Sequence, residues 1–183
     1  MRIALFVLDT VFFILVGAAL LRVWMNQLQV KLAQQPGVFA MAVTDWVVKP
    51  VRGILPKRIL QSQADWGSWM AAVLLSLAYG GLWLMLSLNA GATVSSPITV
   101  WVAIVAMAFQ FLLRTALQAL MFMLLAYAIL SWTRSDATIL GTLDRLCGPL
   151  LRPIRRWIPP IGGVDLSILV LVVLLQIGLM LVG

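Results

Sequence analysis

The sequence contains no histidine and no glutamate, and all six of its acidic residues are aspartates. Histidine and glutamate are common general acids and bases, and histidine and cysteine are the commonest ligands of zinc. The single cysteine, Cys147, cannot form an internal disulfide, and its thiolate would lack a histidine to activate it. We therefore predict that the protein is not an enzyme and holds neither a metal nor another cofactor.

Charged residues are also scarce, at 10% of the chain, whereas 63% of the residues are apolar and the mean hydropathy is +1.06. A soluble domain of 183 residues could not bury that much apolar surface. The net charge of +7 does not indicate nucleic acid, because the basic residues lie between apolar segments. Anionic headgroups and the positive-inside rule account for such charges. We predict an all-α, multi-pass membrane protein.

Apolar segments long enough to cross a ~30 Å hydrocarbon core occupy residues 3–25, 66–88, 98–132 and 166–182. The third is ambiguous, because it could be one long helix or two crossings split near Arg114. Loops 26–65 and 133–164 each carry five basic residues, and loop 89–97 carries none. A single crossing by the third segment puts both basic loops on the cytoplasmic side. We therefore predict about four transmembrane helices, with both termini outside.

A seven-residue pattern, Pro-x-Arg-x-x-[Ile/Leu]-Pro, occurs at residues 50–56 and again at 153–159. It predicts two tandem parallel repeats, residues 1–89 and 90–183. In each repeat a short apolar or amphipathic segment precedes the motif, and such segments are typical of interfacial or re-entrant helices. The two prolines of each copy disfavour helix and predict a short rigid loop.

The basic residues of the two motifs are the candidate binding residues, because guanidinium groups match phosphate oxygens. We assign a candidate lipid- or partner-binding role to Lys49, Arg52, Arg152, Arg155 and Arg156. The alternative is that these charges only set the topology. The sequence leaves both interpretations open.

A second set of polar residues falls within the apolar segments. Gln110, Arg114 and Gln118 recur every four residues, so they form one stripe on a helix. Asp9 is the only acid in the first segment, and helix geometry places it at nearly the depth of Arg114. Unpaired charges in lipid are costly, so we predict an Asp9–Arg114 ion pair that acts as a structural clip or as a gate on an ion path.

The second repeat resembles the YggT family of bacterial and plastid membrane proteins. The resemblance rests on residues 130–132 (Leu-Ser-Trp), 150–159 (Leu-Leu-Arg-Pro-Ile-Arg-Arg-Trp-Ile-Pro) and 162–167 (Gly-Gly-Val-Asp-Leu-Ser). The first repeat matches more loosely, at residues 21–24, 49–56 and Asp65. Two positions depart from the pattern: Ile168 replaces a frequent proline, and Trp46 stands where the second copy has Pro149.

The resemblance implies a non-catalytic scaffold or assembly helper in the bacterial inner membrane. Family roles would lie in osmotic-stress tolerance, in envelope or division organisation, or in membrane-complex assembly. The expected partners are membrane lipids and other membrane proteins, and a homo-oligomer is left open. One alternative is an oligomeric channel or transporter component for ions or osmolytes, and another is an anionic-lipid-binding protein.

Overall fold

The computed structural model describes residues 2–30, 36–54, 65–89, 96–133, 137–156 and 165–183. Within these residues all regular secondary structure is helical, as predicted. The helices are α1 (Arg2–Gln27), α2 (Gly37–Ile54), α3 (Trp66–Asn89), α4 (Pro97–Thr133), α5 (Ala137–Arg155) and α6 (Leu166–Val182).

Three helices of the described chain are long and apolar enough to cross a membrane: α1, α3 and α4. Helix α6 is equally apolar but has 17 residues, and its length of ~25 Å is slightly less than a typical hydrocarbon core. Large apolar side chains on the spans are exposed, among them Phe6, Trp101 and Phe109. Such exposure fits helices that face lipid. The chain is therefore an all-helical membrane protein, and the fourth crossing stays a prediction.

The segment left ambiguous by the sequence is one continuous helix. Helix α4 runs for 37 residues without a break at Arg114, so it is ~55 Å long. That length exceeds the hydrocarbon core, so a single crossing requires tilt or an end that projects beyond the core.

Helices α2 and α5 occupy the two short segments that precede the motifs, but they extend further than predicted. Pro50 lies inside α2 and Pro153 inside α5, so the first proline of each motif is helical and not part of a loop. Each proline lies near the carboxyl end of its helix, so the one backbone hydrogen bond that it cannot donate is lost from the last turns and the rest of the helix is left intact. Arg52 and Arg155 in the last turns also favour the negative end of the helix dipole. The second proline of each motif lies outside the described residues.

The six helices pack as two sets of three that have the same order. In the first half α1, α2 and α3 contact one another, and in the second half α4, α5 and α6 do so. The halves meet where α4 packs against α1 and α3. Gly80 makes the second contact close, because a Cβ atom there would lie 2.7 Å from the carbonyl oxygen of Ile104.

The apolar face of α5 forms part of a buried cluster. Leu143, Leu146, Cys147 and Leu151 recur at helical spacing and are buried with Leu124 of α4. The cluster also includes Met25 near the carboxyl end of α1 and Ile168 near the start of α6. Helix α5 is therefore held against the ends of three neighbouring helices, which fixes the position of its polar face.

Candidate functional site

The arginine of the first motif is bound to the residue that begins the next helix. Arg52 Nη2 donates a hydrogen bond to Asp65 Oδ1 at 2.8 Å. Asp65 also accepts from the backbone N–H and the hydroxyl of Ser68, so it caps α3. Gly67 leaves room for this pair, because a Cβ atom there would lie 2.5 Å from Arg52 Cγ. The motif arginine thus ties the end of α2 to the start of α3.

A second arginine extends this contact to α1. Arg22 is buried, its Nη1 donates to Asp45 Oδ1 at 2.7 Å, and its Nε lies 3.7 Å from Asp65 Oδ2. Lys49 Nζ lies 2.9 Å from Asp45 Oδ2, four residues away on the same helix. These charges link α1, α2 and α3 into one network. We call the Arg52–Asp65 pair the first clamp.

The network keeps its carboxylates charged. Hydrogen bonds with Lys49 and then Arg22 lower the pKa of Asp45 below its ordinary value of 3.8. Burial alone would raise the pKa of Asp65, but hydrogen bonds from Arg52 and Ser68 outweigh it, so this pKa is also lowered. Both aspartates are therefore ionised at neutral pH.

The second motif makes the matching contact, which we call the second clamp. Arg155 Nε donates to Asp165 Oδ2 at 2.7 Å, and Asp165 Oδ1 accepts from the backbone N–H of Ser167. Asp165 is the N-cap residue of α6. The Arg155–Asp165 pair therefore ties α5 to α6 as the first clamp ties α2 to α3.

The additional partners differ between the two clamps. Arg155 Nη2 donates to the Tyr127 hydroxyl at 3.4 Å, and that hydroxyl donates to Asp144 Oδ1 at 2.9 Å. Burial would lower the pKa of Arg155, but its contacts with Tyr127 and Asp165 raise it instead. Tyr127 and Asp144 thus add α4 to the second clamp, as Arg22 adds α1 to the first.

The other two candidate arginines of the second repeat, Arg152 and Arg156, are exposed. Arg152 lies on the polar face of α5, and Arg156 lies in the turn after it. A cavity of about 290 Å³ opens beside this face and is lined by Arg145, Arg152 and Arg155, among others. Arg156 does not line it. The cavity therefore brings Arg145 together with Arg152 and Arg155, and the binding role assigned to Arg152, Arg155 and Arg156 stays a prediction.

The structure does not bring Asp9 and Arg114 within ion-pair distance of each other. Asp9 Oδ1 instead accepts a hydrogen bond of 2.8 Å from the hydroxyl of Tyr79, whose ring stacks on Phe111 with centroids 3.8 Å apart. Arg114 is exposed on α4. A tyrosine of α3 thus supplies the partner that the sequence interpretation assigned to an arginine of α4.

The two glutamines of the stripe have different surroundings. Gln110 Nε2 donates to the carbonyl of Val182 at 2.7 Å, so it joins α4 to the last turn of α6. Gln118 is half-buried on α4. One member of the stripe therefore joins two helices.

Metal and thiol chemistry find little support in the described residues. No group of three or more metal-ligating side chains occurs there. Cys147 is buried, and burial raises the pKa of its thiol to about 12, so it is protonated at neutral pH. Its place in the buried cluster indicates a packing role.

The sequence interpretation did not predict the partners of the motif arginines. Asp65 and Asp165 belong to the family resemblance, which predicts no contact between them and the motif arginines. Their spacing was an available signal. Asp65 follows Arg52 by 13 residues, Asp165 follows Arg155 by 10, and each aspartate directly precedes an apolar helix. Arg22 carried a separate signal, because it is a charge within an apolar segment.

Comparison with known proteins gives matches over most of the chain. The family model described as CCB3/YggT matches residues 1–86 and 106–183. The uncharacterised protein YggT of Escherichia coli K12 is 30% identical over 173 residues, which cover 94% of this chain and 85% of that protein. An uncharacterised protein of Vibrio alginolyticus is 28% identical over 179 residues, or 97% of this chain and 92% of the relative.

No solved structure matches the chain. The family model covers both clamps, from Arg22 and Arg52 in the first half to Arg155 and Asp165 in the second. With both halves matched, the chain belongs to the CCB3/YggT family.

Proposed function

We propose that this protein is a non-catalytic scaffold or assembly helper of the bacterial inner membrane. The observation that carries the proposal is the pair of clamps, because both motif arginines are bound to aspartates of the same chain. An arginine engaged in this way fixes helix positions and has less capacity to bind a passing substrate.

The buried charges at the first clamp make its arrangement costly to disturb. Asp65 is 8% exposed and Arg22 is 5% exposed, so removing either charge would leave the other buried with one counter-ion fewer. Such pairs contribute little net stability but strongly oppose other arrangements of the same groups. Fixed amphipathic helices on rigid spans are what a docking platform needs.

The surface offered by α2 supports contact with other apolar groups. Phe39 and Trp46 are seven residues apart, so they share one face of α2, and they are 52% and 65% exposed. Lys49 and Arg52 lie near one end of the same helix. We propose that partner membrane proteins contact this face, with roles in envelope organisation, stress tolerance or complex assembly as the family resemblance implies.

Photo-crosslinking tests this proposal in living cells. A photoreactive amino acid placed at Trp46 should give discrete protein adducts, and the same probe at Phe39 should give the same set. In a background with Asp65→Asn, which weakens the first clamp, the adducts should decrease. A background with Asp165→Asn, which makes the same change in the second clamp, is the matched control and should leave them unchanged. Adducts to lipid alone would contradict the scaffold role.

A channel or transporter component is the competing proposal. The polar residues that could line a path include Gln110, whose amide is bound to the end of α6, and Asp9, which is bound to Tyr79. These contacts fit a structural clip between helices better than an open path. Liposomes that contain only the purified protein should show no ion or osmolyte flux above that of empty liposomes, and a flux would favour the channel instead.

A further inference from the structure

The cavity beside α5 is a second feature of the molecule, separate from the scaffold surface on α2. It measures about 290 Å³ and lies between the polar face of α5 and Leu28, which follows the end of α1. This volume is at the low end for small-molecule sites. It would hold a phosphate group and a few attached atoms rather than a whole lipid.

Positive charge dominates the lining. Arg145, Arg152 and Arg155 face the cavity against one acid, Asp144, which already accepts a hydrogen bond from Tyr127. The arginine positions differ by seven and three, so they fall on one stripe of the helix, and Arg145 and Arg152 are about 10 Å apart along the axis.

Two of these arginines lack a counter-charge. Arg155 is engaged by Asp165, whereas Arg145 and Arg152 are exposed and make no ion pair in the part of the chain that the structure describes. The cavity therefore contains two guanidinium groups available to an added anion.

The second repeat lacks an acidic residue that the first repeat has at the corresponding position. Aligned on the motif prolines, Arg152 corresponds to Lys49, and Gly148 corresponds to Asp45. In the first repeat the Asp45 carboxylate pairs with Lys49 at 2.9 Å and with Arg22. In the second repeat the cation remains, but glycine has replaced the anion.

Gly148 also leaves the space of the missing side chain open. A Cβ atom at Gly148 would meet nothing within 4 Å, although the glycine lines the cavity. The position therefore combines unbalanced positive charge with room for a small anion.

We propose that this cavity binds the phosphate group of a phosphate ester, which takes the place that Asp45 occupies in the first repeat. Guanidinium forks suit phosphate oxygens and form charge-assisted hydrogen bonds with them. Two sources supply this chemistry, an anionic lipid headgroup and a soluble phosphate.

The position of the cavity favours a headgroup. Leu28 lines it one turn beyond Trp24, whose indole N–H donates to the Leu146 carbonyl at 3.2 Å. Tryptophans concentrate at the depth of the headgroups. The end of α1 would place the cavity at that depth.

Thermal unfolding of the full-length, delipidated protein in a neutral detergent tests the site. We expect short-chain phosphatidylglycerol to raise the midpoint in a saturable manner, because a ligand that binds only the folded state stabilises it. Chloride at matched ionic strength is the reference. Equal shifts with inorganic phosphate would assign the site to free phosphate as well, whereas a shift with the lipid alone would assign it to a headgroup.

The decisive variant is Gly148→Asp, which restores an aspartate four residues before the cation. It should raise the midpoint without ligand and abolish the response to phosphatidylglycerol. Gly141→Asp is the matched control, because Gly141 lies on the same helix, its Cβ position is also open, and it does not line the cavity. That variant should respond as the wild type does.

Arg152→Gln provides a second measurement that does not depend on the folding of the Gly148→Asp variant. It should weaken the lipid-dependent shift by at least ~10-fold in ligand concentration, since a charge-assisted contact is lost. The proposal is overturned if the wild type shows no saturable shift, or if Gly148→Asp or Arg152→Gln retains the full response.

Discussion

At the scale of single residues, the aspartate that precedes α3 makes more contacts than capping that helix requires. Asp65 caps α3 through Ser68, pairs with Arg52 and lies beside Arg22. One carboxylate therefore serves three helices. Asp165 has the same role for α5 and α6, with fewer basic partners.

Asp65→Asn retains the shape but removes the charge, so Arg22 and Arg52 lose their shared counter-ion. We expect the free energy of unfolding in detergent micelles to fall by roughly 3 kcal/mol, as for other broken buried ion pairs. Denaturant titration followed by circular dichroism measures it. Lys49→Gln is the control and should cost less than ~1 kcal/mol, because the Lys49 side chain is 74% exposed.

The same residue predicts an acid dependence. The pKa of Asp65 is lowered from 3.8 in the folded protein, so its charged form contributes stability that is fully present above that value. The contribution is lost as the pH falls through the folded-state pKa. The wild-type unfolding energy should decline at acidic pH, and Asp65→Asn should show a shallower decline. Parallel curves for the two proteins would contradict the role given to Asp65.

At the scale of helices, the contact between α3 and α4 depends on one member of a glycine pair. A Cβ atom at Gly80 would lie 2.7 Å from the Ile104 carbonyl oxygen, whereas one at Gly81 would meet nothing within 4 Å. Of the two glycines that the sequence offers, only Gly80 permits the close approach. The two positions are adjacent, so they form a matched pair for experiment.

Gly80→Ala should force α3 and α4 apart and lower the free energy of unfolding by roughly 1–3 kcal/mol, as overpacking does. Gly81→Ala should be neutral or stabilising by up to ~1 kcal/mol, because alanine favours the helix. Thermal and denaturant unfolding of both variants in the same detergent measure the difference. Equal effects at the two positions would argue against the close contact.

At this scale the sequence pattern predicts that a helix is present more reliably than it predicts where the helix ends. The amphipathic segment before the second motif predicted a helix, and the structure confirms it as α5. The prolines predicted that the motifs leave the helix, and this was wrong for Pro50 and Pro153. Proline preferences are local, whereas the ion pairs to Asp65 and Asp165 hold the last turns from outside the helix.

At the scale of the whole molecule, the two halves share an order of helices and a clamp. The tandem parallel repeat, with both basic loops on the cytoplasmic side, stays a prediction that rests on charge. The continuous α4 removes a break near Arg114 from the alternatives. It thereby removes one route by which the basic loops could lie on opposite sides.

Reporter proteins fused after Lys57 and after Arg156 should both report a cytoplasmic location, because the positive-inside rule retains both loops there. A fusion at the carboxyl terminus should report the outside if α6 crosses. A cytoplasmic signal there would limit the chain to three crossings, and a periplasmic signal from either loop would overturn the parallel repeat.

The sequence by itself determined that the protein is an all-helical membrane protein and where its apolar helices lie. These follow from composition and periodicity, which are local properties of the chain. Which polar groups meet was decided only by the tertiary structure. Helix packing brings Arg52 to Asp65, and it brings Tyr127 to Asp144. Matched depth suggested Asp9 and Arg114 as a pair, but depth leaves rotation about the helix axis undefined. Packing sets that rotation, and it gave Asp9 the hydroxyl of Tyr79.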